Sequence, residues 1–240
     1  MLHIITPLFR HELLDRVYQS IPPHDDVVWH IATSSRRAAP PHAFLHADPR
    51  IRVYAIDCDD ADIVTKRNTV FAGLTAGYFY LLDDDTICLP EMYRVYAEFS
   101  ARQFAGMIVG GSNLCGVRRP SLDPALNRID TGSVICCHSV LRSVSWAWSA
   151  EYGRDRLFWS RCFAYFGPER TVVVRRTISA YNALGPLVRV RKRVLGRAIA
   201  WDIRHPVAAR CYLLLADARH HARRISRALW HGRRPLRPRT

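Results

Sequence analysis

Apolar positions in the first half of the chain come as short continuous runs, separated by longer segments in which they recur every three to four residues. Leu2–Thr6 is one such run, closed by Pro7, and reads as a strand buried on both faces. Residues 12–20 follow with Leu13, Leu14, Val17 and Ile21 at helical spacing, and Val27–Ala32 and Ile51–Ile56 are further strands. A helix is predicted over Ala61–Ala76, with Ile63, Val64, Val70 and Leu74 along one side, and Tyr78–Leu82 is a fourth strand. Pro90 suits a first helical position, and Met92, Val95, Tyr96 and Phe99 carry that helix to about Gln103. Met107–Val109 reads as a strand entering a turn at Gly110-Gly111.

Beyond it, residues 112–127 are punctuated by Gly, Pro and Arg and read as a loop. Ile129–Cys137 reads as a strand or extended segment, Ser139–Trp146 and Gly153–Phe166 as helices, and Thr171–Arg175 as a β-branched strand. Alternation of strand and helix implies right-handed βαβ crossovers and a mostly parallel α/β sheet. Ligands of such sheets bind just outside the carboxyl ends of the strands. Asp83-Asp84-Asp85 follows the fourth strand directly, at one such end.

Composition refines this picture. The chain has 240 residues, 49% apolar and 23% charged, enough for a sizeable core and contrary to wholesale disorder. Its net charge of +14 is uneven: residues 1–186 hold 20 basic and 19 acidic side chains, residues 187–240 hold 15 and 2. A near-neutral domain over 1–186 and a basic helical tail over 187–240 are therefore expected. In the tail Cys211, Leu214, Leu215, Ala218, Ala222, Ile225 and Leu229 share one helical stripe, with Arg210, Arg223, Arg224 and Arg227 largely off it. That pattern suits an amphipathic helix lying on an anionic membrane surface, or one packed back on the domain. No nucleic-acid reading module accompanies the charge, so no specific nucleic-acid partner is expected. Seven cysteines without CxxC spacing argue against a zinc site or disulfide framework and suit reduced core thiols. No apolar run reaches the roughly 18–20 residues of a membrane span. The chain opens on Leu2-His3-Ile4-Ile5 without a charged leader. A cytoplasmic protein, peripheral on the inner membrane face, is the expectation.

The aspartate triplet is the strongest chemical signal. Three adjacent carboxylates repel one another, and a hard divalent cation bridging to phosphate oxygens relieves the repulsion. Lys66-Arg67-Asn68 on an amphipathic helix, then Tyr-Phe-Tyr-Leu-Leu-Asp-Asp-Asp-Thr with Pro90 beyond, resembles the nucleotide-sugar core of GT-A glycosyltransferases. The opening Ile-Ile-Thr-Pro-Leu-Phe-Arg, a helix, and then Val-Val-Trp-His-Ile-Ala is similar to their first βαβ unit. In motif order the chain resembles the inverting glucuronyltransferase type and bacterial family-2-like transferases, over roughly residues 2–182.

The resemblance implies roles as well as a fold. Thr6 and Pro7 would shape the base pocket, and Phe9 would stack on the nucleobase. Arg67, assisted by Lys66, would pair with the diphosphate. Asp83 would approach the ribose, Asp84 would belong to the same donor site, and Asp85, with Asp83, would hold Mn²⁺ or Mg²⁺. Asp130, in Arg-Ile-Asp-Thr-Gly-Ser-Val, would touch the transferred sugar. The second strand ends in Ala-Thr-Ser-Ser without the acidic residue many relatives carry, and Asp57, Asp59, Asp60 and Asp62 crowd the next loop instead. One of them would serve the nucleobase, or the cluster is a solvated loop capping the helix that follows.

An inverting transferase needs a carboxylate to deprotonate the acceptor hydroxyl. Asp155, at an expected helix start, is the first candidate and Glu151 the second. Trp146, Trp148, Tyr152, Trp159 and Tyr165 around them suit either core packing or the face of a glycan or lipid-linked acceptor. No Gly-x-Ser-x-Gly, P-loop or GxGxxG motif is present, contrary to hydrolase, NTPase and dehydrogenase readings. The sequence also admits two other readings: a nucleotidyltransferase on the same fold class, which lacks its Gly-rich first loop here, and a nucleic-acid-binding protein using the arginine tail.

Overall fold

The apolar run that opens the chain becomes β1 (Leu2–Pro7), paired on both edges: parallel to β2 (Val27–Ser34) on one side and to β4 (Tyr78–Leu81) on the other. The structure, a computed structural model, describes residues 1–37, 40–114, 117–119, 131–146 and 154–181. Five further strands complete the sheet around β1: β3 (Ile51–Ile56), β5 (Ile87–Cys88), β6 (Met107–Leu114), β8 (Val134–Cys137) and β9 (Thr171–Tyr181). Their order is β3-β2-β1-β4-β8-β6-β9-β5, with β7 (Val117–Arg119) paired to β6 as a hairpin. β8 runs antiparallel to both β4 and β6, which are therefore parallel to each other, and β9 continues in their direction. Six of the nine described strands thus point one way, as the strand–helix alternation implied.

Alternation along each strand divides the core between two faces. Leu2 and Ile4 of β1, Tyr78 and Tyr80 of β4 and Ile108 of β6 pack on one face. They meet α1 (Leu14–Tyr18) and α4 (Pro90–Ala101), the latter through Met92, Val95, Tyr96 and Phe99. Ile5, Phe79, Leu81, Met107 and Val109 point the other way, against Val64, Val70 and Phe71 of α3 (Ile63–Ala72) and Phe158, Trp159, Cys162 and Phe166 of α5 (Arg154–Phe166). A strand covered on both faces has no polar side to show, which is why these runs are continuous. Gly77 makes the turn into β4 at φ +88°, where a side chain would also strike the Met1 carbonyl.

Local signals set several boundaries. Asp62 caps α3, its Oδ1 accepting from the Thr65 amide at 3.0 Å and its Oδ2 from the Thr65 hydroxyl at 2.6 Å. Pro90 opens α4 at a position that needs no amide donor. Other expectations are corrected. The helix expected over residues 12–20 is a 3₁₀ turn, His11–Leu13, followed by the short α1, and a single helical turn, α2 (Phe44–Ala47), precedes β3. Ser139–Trp146 is a 3₁₀ turn over His138–Arg142 and then irregular chain, in which the Trp146 amide donates to Asn68. Part of the expected loop at 112–127 is strand, since β6 runs on to Leu114 and pairs with β7. β9 likewise extends six residues past Arg175 alongside β6. The boundary expected at residue 186 and the helical tail lie outside the described residues. No described helix is long and apolar enough to cross a membrane.

Candidate functional site

β1 lies between β2 and β4, so the chain leaves its carboxyl end at the place where strand order reverses. Open α/β sheets form a crevice at such a switch point. The loop after β1 presents Phe9 and Arg10 to it, and the loop after β4 presents Asp83, Asp84 and Asp85.

The three aspartates do different things. Asp84 is 1% exposed. Its Oδ2 accepts from the backbone amides of Phe9 and Arg10, both at 2.7 Å, and its Oδ1 lies 2.8 Å from Arg10 Nη2. Burial pushes the Asp84 carboxyl above its ordinary range, partly offset by Arg10 and the two amides. Asp84 is thus a buckle between the two loops. Asp85, 5% exposed, accepts from Arg10 Nη1 at 2.5 Å. Asp83 reaches out further, with 27% of its side chain exposed, and pairs with Arg67 Nη2 at 2.8 Å. Burial opposes the charge on Arg10, but Asp84 and Asp85 outweigh it and raise its pKa. Two arginines therefore hold three carboxylates together in a region where like charges alone would repel.

Arg67 and Lys66 are internal counter-ions in this arrangement. Arg67 is buried, with its guanidinium 4.1 Å from the centre of the Trp146 ring. Asn68 beside it fastens the same tryptophan's backbone. Lys66 is fully buried, and its Nζ donates to the carbonyls of Leu8 at 2.9 Å and Asp60 at 2.6 Å and lies 4.1 Å from the Phe9 ring centre. It ties the loop after β1 to the loop before α3. Thr6 is fully buried, and its Oγ1 accepts from the Trp29 indole at 2.9 Å, so its side chain faces the core. Pro7 ends β1, and Phe9 is half-buried at the crevice.

The acidic loop after β3 is mostly spoken for. Arg36 pairs with Asp57 and Asp59, Arg37 with Asp60, and Asp62 caps α3. Arg37 also donates to the Phe9 carbonyl. The loops after β1, β2 and β3 are thus stitched by charge around the crevice.

Other expected residues fall differently. Asp155 lies in the first turn of α5, while Glu151, Asp130, Trp148 and Tyr152 lie outside the described residues. Thr131–Ser133, the turn that follows Asp130, is buried, and the Gly132 carbonyl accepts from Tyr80 at 2.9 Å, which brings that turn beside β4. Trp146 and Trp159 are core residues. Tyr165, at 36%, is exposed. The five described cysteines are free, and Cys58, Cys88, Cys136 and Cys162 are buried.

Among the described residues no three His, Cys, Asp or Glu side chains converge on one point. A Mg²⁺-type ion needs only one or two carboxylates, with phosphate oxygens and water completing the shell. Asp85 and Asp83 supply such hard oxygens at the crevice, and a cationic group already rests on Asp85 Oδ2. In donor chemistry, hard carboxylate oxygens, the two side chains suit such an ion. Sequence reasoning missed Arg10, whose only signal was its place one residue after Phe9 at the end of the first strand.

A parallel half-sheet with an antiparallel strand inserted at β8 and helices on both faces matches a GT-A-like fold. Crystal structures of S. aureus TarS, a GT-A family glycosyltransferase, share it. Residues 1–349 of TarS match with a TM-score of 0.61 at 12% identity, covering 75% of this chain and 59% of that one. The same TarS fragment in complex with UDP-GlcNAc matches at 0.58, 11%, 75% and 57%. Its complex with UDP matches at 0.60, 11%, 75% and 59%. The chain spans less than two thirds of these neighbours' length. No family model and no curated protein matches the sequence.

Proposed function

We propose that this protein is a nucleotide-sugar glycosyltransferase whose donor sits in the crevice between the loops after β1 and β4. One observation carries the reading: Asp84 and Asp85 meet Phe9 and Arg10 across the switch point of a GT-A sheet, with Asp83 next to them on Arg67. A uridine diphosphate donor is favoured because the structural neighbour has been crystallised with UDP and UDP-GlcNAc. Phe9 offers a half-buried ring for the base, while Lys66 and Arg67 hold the loop and Asp83 in place behind it. A Mn²⁺ or Mg²⁺ ion held by Asp85 and Asp83 would act as a Lewis acid on the departing diphosphate. Asp155 takes the proton of the acceptor hydroxyl as that oxygen bonds to the anomeric carbon and the bond to the diphosphate breaks, with inversion; Glu151 is the alternative base. The acceptor is a glycan or a lipid-linked glycan, and the basic tail brings the enzyme to the anionic membrane surface where such acceptors lie.

A thermal-shift panel of UDP, GDP and dTDP sugars, each with and without Mn²⁺, tests the reading. A ligand bound only by the native state raises the melting temperature by mass action. Stabilisation by a UDP-sugar that Mn²⁺ enhances is the expected outcome. No shift with any sugar nucleotide would overturn it.

A further inference from the structure

The same guanidinium that closes the crevice occupies the oxygen on which a metal would rest. Arg10 Nη1 lies 2.5 Å from Asp85 Oδ2 while its Nη2 lies 2.8 Å from Asp84 Oδ1. Asp84 Oδ2 keeps its two backbone amides whatever the guanidinium does. The Arg10 side chain is itself 34% exposed, so it has solvent to swing into. Its backbone, by contrast, is pinned by Asp84, so the swing is confined to the side chain. A charge pair with one member pinned and the other able to leave makes a two-position device.

We propose that Arg10 is a latch on the carboxylate triplet, seated on Asp85 in the resting enzyme and displaced when a divalent cation takes Asp85 Oδ2. This rests on the transferase reading above and adds regulation of the metal step to it. A guanidinium 2.5 Å from Asp85 Oδ2 repels a divalent cation brought to the same oxygen, so metal and guanidinium compete there. The apparent metal affinity is then reduced by the fraction of molecules in which Arg10 is unseated. Until the metal arrives, Arg10 also neutralises the aspartates, which lets the loops after β1 and β4 stay together without an ion.

The test uses the full chain and Mn²⁺ alone, with no donor. Free Mn²⁺ is counted by electron paramagnetic resonance during titration of the wild type and of Arg10→Ala, and unchanged far-UV circular dichroism verifies the fold. Arg10→Ala is expected to bind Mn²⁺ about tenfold more tightly, as for a latch seated in some nine molecules of ten. Equal or weaker affinity in the variant, or no Mn²⁺ binding by either protein, overturns the latch. A second measurement does not depend on the variant folding. In the wild type, saturating Mn²⁺ should raise phenylglyoxal labelling of Arg10, read by peptide mass spectrometry, and unchanged labelling also overturns the proposal. UDP-sugar stabilisation of the wild type separates the two levels: if it persists while the latch tests fail, only the latch falls, and if it is absent, the transferase reading falls too.

Discussion

Asn68 and Trp146 hold each other by two hydrogen bonds. The Asn68 Nδ2 donates to the Trp146 carbonyl at 2.8 Å, and the Trp146 amide donates to Asn68 Oδ1 at 3.0 Å. A side-chain amide carries donor and acceptor side by side and so satisfies a backbone N–H and C=O at once. The pair presses the indole against Arg67, which in turn orients Asp83, so a contact 78 residues apart in the chain reaches the crevice. Asn68→Ala is expected to lower stability by about 2–3 kcal/mol, since it leaves both backbone groups without their partner. Urea denaturation measures this; a loss below about 0.5 kcal/mol, the range of an inert surface change, would contradict the role.

The aspartate triplet should divide under mutation. Asp84→Ala strips two backbone amides and Arg10 of their common acceptor and is expected to cost about 2–4 kcal/mol of stability. Asp85→Ala should keep the fold and abolish Mn²⁺-dependent donor stabilisation. Full Mn²⁺-dependent stabilisation of the Asp85 variant by a sugar nucleotide would remove Asp85 from the metal site.

Asp155→Asn should preserve donor affinity while slowing transfer by roughly 10²–10⁴, the scale for loss of a general base. Glu151→Gln is the companion measurement. Unchanged turnover in the first variant and a collapse in the second would move the base to Glu151.

Stability should depend on a buried imidazole pair. His3 Nδ1 and His30 Nε2 are 3.0 Å apart, and His30 Nδ1 is 2.9 Å from the Tyr54 hydroxyl. Burial, with His3 and Arg52 adding to it, pushes the His30 pKa down to about 3, and burial lowers His3 as well. A histidine with a depressed native pKa binds its proton in the unfolded chain first. Its contribution is therefore complete above the unfolded value near 6.5 and is lost as pH falls from there toward 3. His30 alone is expected to remove about 2 kcal/mol between pH 7 and pH 5. Urea titrations at both pH values test this: His30→Gln should show a smaller difference than the wild type, and equal differences would refute it.

The arginine tail should direct the protein to anionic lipid. Full-length protein is expected to float with anionic but not neutral vesicles, and a chain ending at Gly185 with neither. Equal recovery of both proteins in the soluble fraction would sink the membrane proposal.

Periodicity alone revealed the strands β1 to β4, helices α3 and α4, and the placing of the aspartates at a strand's carboxyl end. Strands buried on both faces are continuous apolar runs, and Asp62 and Pro90 mark helix starts through bonds made within three residues. The ordered motifs pointed to GT-A, and the sheet order agrees. Three identical aspartates in a row, however, carry no local feature that ranks them. Asp84 became the most deeply buried of them because the loop after β1, 74 residues earlier, brings two amides and a guanidinium to it. For Arg67 and Lys66 the resemblance implied contact with the diphosphate, and no local pattern showed the partners that Trp146, Asp83 and Leu8 supply to them within the protein. The two-residue β5 and three-residue β7 are too short to show a period and exist as strands through pairing with β9 and β6. Local sequence determines which face of an element is buried, because that depends on spacing along one chain segment. Which charge meets which depends on segments far apart in sequence, and tertiary structure decides it.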